Sequence, residues 1–172
     1  MKTAHDIRKT SRRQERRTAA EIGGRVQTNS GATRHGGADV RERGKTRVEC
    51  KYTGKSTYIL KLADLLKLRQ QAIKGGLEMP VFKIGFAVTG QRMMDEVAVL
   101  RWNDYLALCH HDSAHLTRDC FVAAQQYQLT RAEALTLLTG QRIRLGFEVP
   151  HEVTLTMYLI MPWADYLALR GE

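Results

Sequence analysis

Long apolar runs are missing from this chain, and most of its length carries no excess of charge. No apolar segment approaches the length of about 18 residues that marks a candidate membrane-spanning helix. The N-terminal residues are polar and basic, which argues against a secretory signal peptide. Three cysteines at unrelated spacings argue against a disulfide framework. We therefore expect a soluble, cytoplasmic protein.

The positive charge is confined to the first third of the chain. Residues 1–55 contain 15 Lys and Arg against 6 Asp and Glu, whereas residues 56–172 contain 12 of each kind. The net charge of +9 therefore belongs entirely to the first segment. Such segregation is typical of a surface that binds a polyanion, so DNA or RNA is the expected partner. A solvated basic tail and an anionic membrane surface are the alternatives.

The hydrophobic pattern predicts an α/β fold. A helix from about residue 12 to 22 is expected to follow a basic tail, because Ser11 and Gln14 have the spacing of a capping box. Apolar residues at helical spacing predict a second helix over 61–73. Apolar runs predict buried strands over 81–88 and 96–101, with a short helix after them.

The second half of the chain contains an internal repeat. Residues 83–108 align without gaps on residues 144–169, and nine of the 26 positions are identical. Most identities fall in the shared Trp-x-Asp-Tyr-Leu-Ala-Leu segment, whose aromatic residues we expect in the core. The sequence predicts a duplicated strand-strand-helix unit, which either extends the sheet or forms a small second lobe.

The residues that point to chemistry are Asp39 and, ten positions later, Glu49-Cys50-Lys51. Hydrolysis of a phosphodiester requires carboxylates that hold Mg²⁺ and a cation near the attacking water. Alternate residues of a strand share a face, so Glu49 and Lys51 point together while Cys50 points into the core. Asp39 shares that face if a hairpin loop of odd length precedes the strand. Glu42-Arg43-Gly44, with Gly at the third position, is expected to form it.

These residues resemble the Holliday-junction resolvases of archaea and their phages, within the PD-(D/E)XK nuclease superfamily. In that family a helical Glu precedes a glycine turn, a small-residue loop leads to Asp, and a strand carries Glu-x-Lys. Glu15, Gly23-Gly24-Arg25, Ser30-Gly31-Ala32, Asp39 and Glu49-Cys50-Lys51 occur here in that order. The resemblance covers about 70 residues of the chain, from Gln14 to Phe86. Neither His35 in the small-residue loop nor the chain beyond about residue 110 matches it.

The resemblance implies a restriction-endonuclease-like core, a mixed β-sheet flanked by helices, in residues 1–110. Residues 111–172 form a C-terminal strand-strand-helix extension. The resemblance and the chemistry together imply that Asp39, Glu49 and the Cys50 carbonyl hold Mg²⁺ or Mn²⁺, while Glu15 holds a second metal or the first through water. Lys51 orients the attacking water. The expected DNA-contacting residues are Arg25, Ser30, Arg34, Arg12 and Arg16.

Two carboxylates of the first helix compete for the catalytic position. Glu15 lies on a stripe with Ser11, Ala19 and Ile22, which faces the sheet. Glu21 pairs with Arg17 at i, i+4 spacing, on the face expected to be solvated. We therefore predict Glu15 as the catalytic residue.

The predicted function is a structure-specific endonuclease that resolves four-way or other branched DNA as a homodimer, because two strands must be cut. A nicking, restriction-like or end-processing nuclease of the same fold is the alternative, as is a non-catalytic DNA-binding subunit. A second cluster of ligand-type side chains is expected to contain surface histidines rather than to form a structural zinc site. It comprises Cys109, His110, His111, Asp112, His115 and Cys120.

Overall fold

The computed structural model describes residues 4–27, 38–87, 94–109, 117–122, 125–148 and 155–171. The helices are α1 (Ala4–Ile22), α2 (Leu62–Lys74), α3 (Trp102–Leu108), α4 (Arg131–Leu137) and α5 (Trp163–Gly171). The strands are β1 (Arg25–Val26), β2 (Val40–Glu42), β3 (Thr46–Thr53), β4 (Thr57–Lys61), β5 (Met79–Ala87), β6 (Met94–Arg101), β7 (Thr117–Val122), β8 (Gln126–Thr130), β9 (Arg142–Phe147) and β10 (Thr156–Pro162). Within these ranges, no helix combines the length and apolar character that crossing a membrane requires.

One mixed sheet of eight strands organises the molecule, in the order β1-β2-β3-β5-β6-β10-β9-β7. One face packs against α1, α3 and α5, through a core that includes Ile22, Cys50 and Tyr166. The other face packs against α2, α4 and the separate β4-β8 pair, around Leu65 and Phe82. The expectation of an α/β fold with a mixed sheet between helices is confirmed.

The predicted helices and strands agree with the structure except at the N-terminus. Helix α2 and strands β5 and β6 lie within two residues of their expected bounds. Helix α1 begins at Ala4, however, so the predicted start at Ser11 is wrong. No glycine or proline interrupts residues 4–22, so nothing stops the helix from continuing through Ser11. Inside the helix, the Ser11 hydroxyl donates to Glu15 Oε1 at 3.3 Å.

The C-terminal copy of the repeat forms β9, β10 and α5, and it extends the sheet. Strands β6 and β10 pair antiparallel, with Val99 opposite Ile160. Ile160 is also the repeat counterpart of Val99, because it follows Val99 by 61 residues, the same offset that relates Arg144 to Lys83 (144 − 83). A strand pair in which a residue faces its own counterpart has local two-fold symmetry. The two copies therefore meet at a pseudo-two-fold axis in the middle of the sheet.

The duplication reaches further back than the sequence indicates. Strand β3 runs parallel to β5 with Cys50 opposite Lys83, and β7 runs parallel to β9 with Asp119 opposite Arg144. Strand β7 is therefore the counterpart of β3, at an offset of 69 (119 − 50). The repeat seen in the sequence, residues 83–108 and 144–169, is therefore only the later part of the duplication. The second copy is eight residues shorter around its helix (69 − 61), so an ungapped alignment cannot continue across it.

Contacts that cross between the copies repeat the same symmetry. The backbone N–H of Leu62 donates to Gln125 O at 3.0 Å, and that of Arg131 donates to Ser56 O at 2.7 Å. The two bonds are equivalent in the two copies, because Arg131 lies 69 residues after Leu62 (131 − 62) and Gln125 lies 69 residues after Ser56 (125 − 56). Strands β4 and β8, which the bonds flank, pair antiparallel. The two halves on either side of residue 110 therefore share one sheet and one set of cross-contacts.

The aromatic residues of the repeat stack in matched pairs. Trp102 packs on Tyr105 with ring centroids 5.3 Å apart, and Trp163 packs on Tyr166 at 5.0 Å. Each tryptophan also lies beneath a cation of the other copy: Lys83 Nζ is 4.1 Å from the Trp163 ring, and Arg144 Cζ is 4.9 Å from that of Trp102. Both tyrosines and Trp163 are buried, as expected for core residues, while Trp102 is half-buried.

Candidate active site

The β2–β3 hairpin sets the position of Asp39 relative to Glu49. Val40 pairs with Val48 and Glu42 with Thr46, which leaves Arg43, Gly44 and Lys45 as a three-residue loop. The loop has the predicted odd length but is displaced by one residue. Gly44 is its central residue, with φ of 76°, a conformation that costs glycine little. Continuation of this register places Asp39 opposite Glu49, on the same face of the ladder.

The backbone between the two acidic positions ties them together. The Asp39 carboxylate accepts the Cys50 N–H at 2.8 Å, while the Cys50 side chain is buried in the core. Lys51 Nζ donates to Glu49 Oε1 at 2.7 Å. The predicted geometry, with Cys50 inward and Glu49 and Lys51 together on the other face, is confirmed.

Helix α1 is held against β3 by polar side chains, and this brings Glu15 to the site. Gln14 is buried, and its Nε2 donates to the Lys51 carbonyl at 3.3 Å. One turn further, the Thr18 hydroxyl accepts from Lys83 Nζ at 3.0 Å. Glu15 follows Gln14 directly and lies within the electrostatic reach of Asp39 and Lys51. Residues far apart in sequence therefore converge at one end of the β2–β3 hairpin.

The charge of Asp39 disfavours ionisation of the two glutamates at this site. The pKa of Glu49 is raised by burial and by the charge of Asp39, against the opposing effects of Lys51 and Lys67. The pKa of Glu15 is raised by burial and again by Asp39. Burial alone lowers the pKa of Lys51, but its hydrogen bond and charge contact with Glu49 outweigh this and raise it. The site therefore concentrates negative charge that Lys51 compensates in part.

The chemistry of the oxygen donors at this site suits a hard divalent cation. Carboxylate and carbonyl oxygens are the ligands that Mg²⁺ and Mn²⁺ prefer, and a cation relieves the repulsion centred on Asp39. Among the residues that the structure describes, no group of three or more His, Cys, Asp or Glu side chains is arranged to hold a metal. A cation here thus depends on one or two carboxylates, with carbonyl oxygen or water in the remaining positions.

The two competing glutamates of α1 occupy different environments. Glu21 contacts Lys83 Nζ at 3.1 Å and accepts from Trp163 Nε1 at 2.8 Å. The expected pair with Arg17 is also present, at 3.4 Å. Glu21 is exposed, as expected, but its carboxylate also reaches inward to Lys83, which is fully buried beneath the helix. Glu21 belongs to a structural network, whereas Glu15 lies beside the hairpin.

A pocket next to the Glu-x-Lys pair contains residues that the sequence did not single out. It is lined by Glu49, Lys51, Asp64, Lys67, Leu68, Gln71 and Phe82. Asp64, Lys67 and Gln71 have the i, i+3, i+7 spacing of one helix face, which is the signal that could have found them. Tyr58 is a fourth missed residue, since its pKa is raised to about 12 by burial, and the charges of Lys51 and Asp64 act on it.

Three of the five expected DNA-contacting residues lie within the part of the chain that the structure describes. Arg12 and Arg16 are exposed on α1, and Arg12 lowers the pKa of Glu15. Arg25 is exposed on β1, opposite Arg41 of β2. Ser30, Arg34 and His35 lie outside the described residues, as do His110, His111, Asp112 and His115 of the ligand-type cluster. Cys109 of that cluster is buried, and Cys120 is half-buried on β7.

Comparison of the chain with protein-family models, with curated proteins and with solved structures finds no match.

Proposed function

We propose that this protein is a metal-dependent DNA endonuclease whose active site comprises Glu15, Asp39, Glu49 and Lys51. One observation carries the proposal: Glu15 on α1 and Asp39 before β2 share an electrostatic environment with the Glu49-Lys51 pair on β3. Burial and the charge of Asp39 raise the pKa of both Glu15 and Glu49, and perturbed carboxylates gathered in this way are typical of functional sites. The proposal includes a restriction-endonuclease-like core formed by α1, the hairpin, α2 and β5.

Each residue of the site has a chemical role in this proposal. Asp39, Glu49 and the Cys50 carbonyl would hold Mg²⁺ or Mn²⁺, and Glu15 would hold a second metal or reach the first through water. A bound divalent cation supplies positive charge to the phosphate and acidifies nearby water. Lys51 Nζ, held beside Glu49, positions a water for attack and balances negative charge at the phosphate.

Branched DNA is the proposed substrate. The positive charge of residues 1–55 supports a nucleic-acid partner. Exposed Arg12 and Arg16 lie on α1, which carries Glu15, and exposed Arg25 lies on β1, which pairs with the hairpin strand β2. Phosphate contacts of this kind position DNA without reading its sequence. The preference for four-way junctions rests on the resemblance to junction resolvases. The homodimer predicted from the sequence is not part of this proposal.

The decisive experiment measures cleavage of a four-way junction, a flap, a linear duplex and a single strand with Mg²⁺, with Mn²⁺ and with chelator. Asp39→Asn and Glu49→Gln are each expected to reduce cleavage by at least about 100-fold, the scale of a lost electrostatic catalytic group. Binding of the junction in Ca²⁺ is expected to stay near the wild-type level, because neither change removes a positive charge.

Glu15→Gln and Glu21→Gln provide a matched pair on one helix. Glu15→Gln is expected to lose cleavage, whereas Glu21→Gln is expected to lower stability while each folded molecule still cuts. Metal-dependent cleavage at the wild-type rate in Asp39→Asn or Glu49→Gln refutes the active-site assignment. Loss of cleavage in folded Glu21→Gln but not in Glu15→Gln shows that Glu21 is the catalytic glutamate.

A further inference from the structure

The two copies of the repeat are related as the two subunits of a small dimer are. At the centre of the sheet, Val99 of β6 faces its own counterpart, Ile160 of β10. On the opposite layer, β4 pairs with its counterpart β8, with Ile59 opposite Gln128, again a residue and its counterpart (128 − 59 = 69). Strand β10 thus occupies the position along β6 that a partner subunit's β6 takes when an isologous dimer extends a sheet.

The positions of the Glu-x-Lys pair carry different chemistry in the second copy. In the parallel ladders, Glu49 faces Phe82 and Lys51 faces Ile84, while Arg118 faces Ile143 and Cys120 faces Leu145. Arg118 and Cys120 are therefore the counterparts of Glu49 and Lys51. An arginine in place of the carboxylate repels a divalent cation.

The surroundings of these positions have also become structural. Glu133, the counterpart of Asp64, forms a capping box with Thr130 at the start of α4. It accepts from the Tyr127 hydroxyl at 2.8 Å and pairs with Arg118 at 3.7 Å. Tyr127 is the counterpart of Tyr58 at the offset of 69 (127 − 58). Charges that border an open pocket in the first copy are paired with one another in the second.

The second copy also has no room for the remaining elements of the site. In the first copy, 19 residues of α1 and the β2 segment precede β3 and supply Glu15 and Asp39. Between α3 and β7 the chain has the eight residues 109–116 (116 − 108). A segment of that length cannot contain a counterpart of α1 together with a hairpin strand.

From these observations, and resting on the proposed function, we infer that each chain cuts one DNA strand per binding event. The second copy is a non-catalytic half that takes the place of a partner subunit in the sheet. A single chain thus forms a two-fold body with one active site, so cleavage requires neither a second chain nor a paired cut.

The test follows a supercoiled plasmid that carries an extruded cruciform, together with Mg²⁺ and limiting full-length protein. The mass of the protein in the reaction buffer is measured in parallel. We expect nicked circles to accumulate with little linear DNA, because the first nick relaxes the plasmid and the cruciform is lost before a second binding event. The initial nicking rate is expected to rise in proportion to protein concentration. With DNA in excess over total protein, addition of a tenfold excess of the inactive Glu49→Gln variant is expected to leave that rate unchanged.

Variants at the two related positions complete the test. Glu49→Gln is expected to abolish nicking, whereas Arg118→Gln, its counterpart in the second copy, is expected to nick at the wild-type rate. Linear DNA formed together with nicked circles at the earliest times refutes the inference while leaving the nuclease proposal intact. An initial nicking rate that grows with the square of protein concentration also refutes the inference and leaves the nuclease proposal intact. Absence of Glu49-dependent cleavage of any DNA refutes the proposed function, and the inference falls with it.

Discussion

At the scale of single residues, Asp39 is the centre of the site's electrostatics. Its charge raises the pKa of both Glu49 and Glu15, in addition to the effect of burial on each. Its carboxylate also accepts the Cys50 N–H, a bond that an Asn side-chain oxygen can replace. Asp39→Asn therefore isolates the charge from the hydrogen bond.

We predict that Asp39→Asn lowers the pKa of Glu49 and Glu15, measured by NMR titration of the glutamate carboxyl carbons. An acid whose pKa is raised in the folded state penalises folding once it ionises. The penalty is absent well below the usual glutamate pKa of 4.5 and complete above the raised pKa. Relief of a repulsion of about 1 kcal/mol corresponds to a melting temperature higher by roughly 2–4 °C at pH 7. This gain should vanish in acid.

Asp165→Asn, on α5, is the matched control and should leave both glutamate titrations unchanged. Unaltered titration of Glu49 in Asp39→Asn would contradict the shared electrostatic environment on which the active-site proposal rests.

At the scale of elements, a buried ion cluster fixes the hairpin that presents Asp39. Glu78, whose side chain is fully buried before β5, accepts from Arg41 Nε at 2.6 Å and from Arg47 Nε at 2.9 Å. It also accepts from the N–H of Gly44 at the hairpin loop. Burial opposes ionisation of Glu78, but these hydrogen bonds outweigh it and hold its pKa below the usual range. One carboxylate therefore holds both strands of the hairpin.

Glu78→Gln is predicted to cost about 3 kcal/mol of unfolding free energy at neutral pH, as expected for a buried ion pair that loses one partner. Because the pKa of Glu78 is lowered, its contribution is present above the usual pKa and is lost as the pH falls through the folded value. The difference from wild type in urea unfolding should therefore shrink in acid. Exposed Glu148→Gln is the control and should change stability by less than about 0.5 kcal/mol. If Glu78→Gln left the free energy of unfolding unchanged, this cluster would be excluded as the support of the hairpin.

At the scale of the whole molecule, neither copy has a closed core of its own. One hydrophobic cluster joins Phe82 and Phe86 of the first copy to Leu145, Phe147 and Tyr158 of the second. Strand β6 also loses one of its two neighbours if β10 is removed, which leaves an apolar edge open to aggregation. The second copy thus stabilises the half that carries the candidate site.

A chain truncated after Arg142 is predicted to lose cooperative thermal unfolding and to aggregate. Circular dichroism and light scattering measure these two properties. A chain that ends at Arg170 is the control, because it keeps the contacts of Arg170 with Glu42 and with the Ile22 carbonyl. A monodisperse truncated protein that cuts DNA at the full rate would show that the first copy folds and acts alone.

The local features of this protein follow from its sequence. Helix α2, strands β5 and β6 and the shared face of Glu49 and Lys51 are set by side-chain periodicity, which acts over a few residues. The odd hairpin loop follows from Gly44 in the same way, although its placement was wrong by one residue. The later part of the repeat is visible because the Trp-x-Asp-Tyr-Leu segment forms a similar tryptophan-on-tyrosine contact in both copies.

Tertiary structure decided what depends on contacts between distant segments. The pairing of Glu21 with Lys83 and Trp163 arises because α1 covers the β5 lysine and α5 supplies the tryptophan, which no local pattern encodes. The same holds for the pocket that joins Asp64, Lys67 and Gln71 to Glu49. The full extent of the duplication was also hidden, since β7 and β3 keep the same hydrogen-bonded place while their side chains have diverged. A sheet is held together by backbone pairing, so a strand can retain its position after its sequence has lost the chemistry of its counterpart.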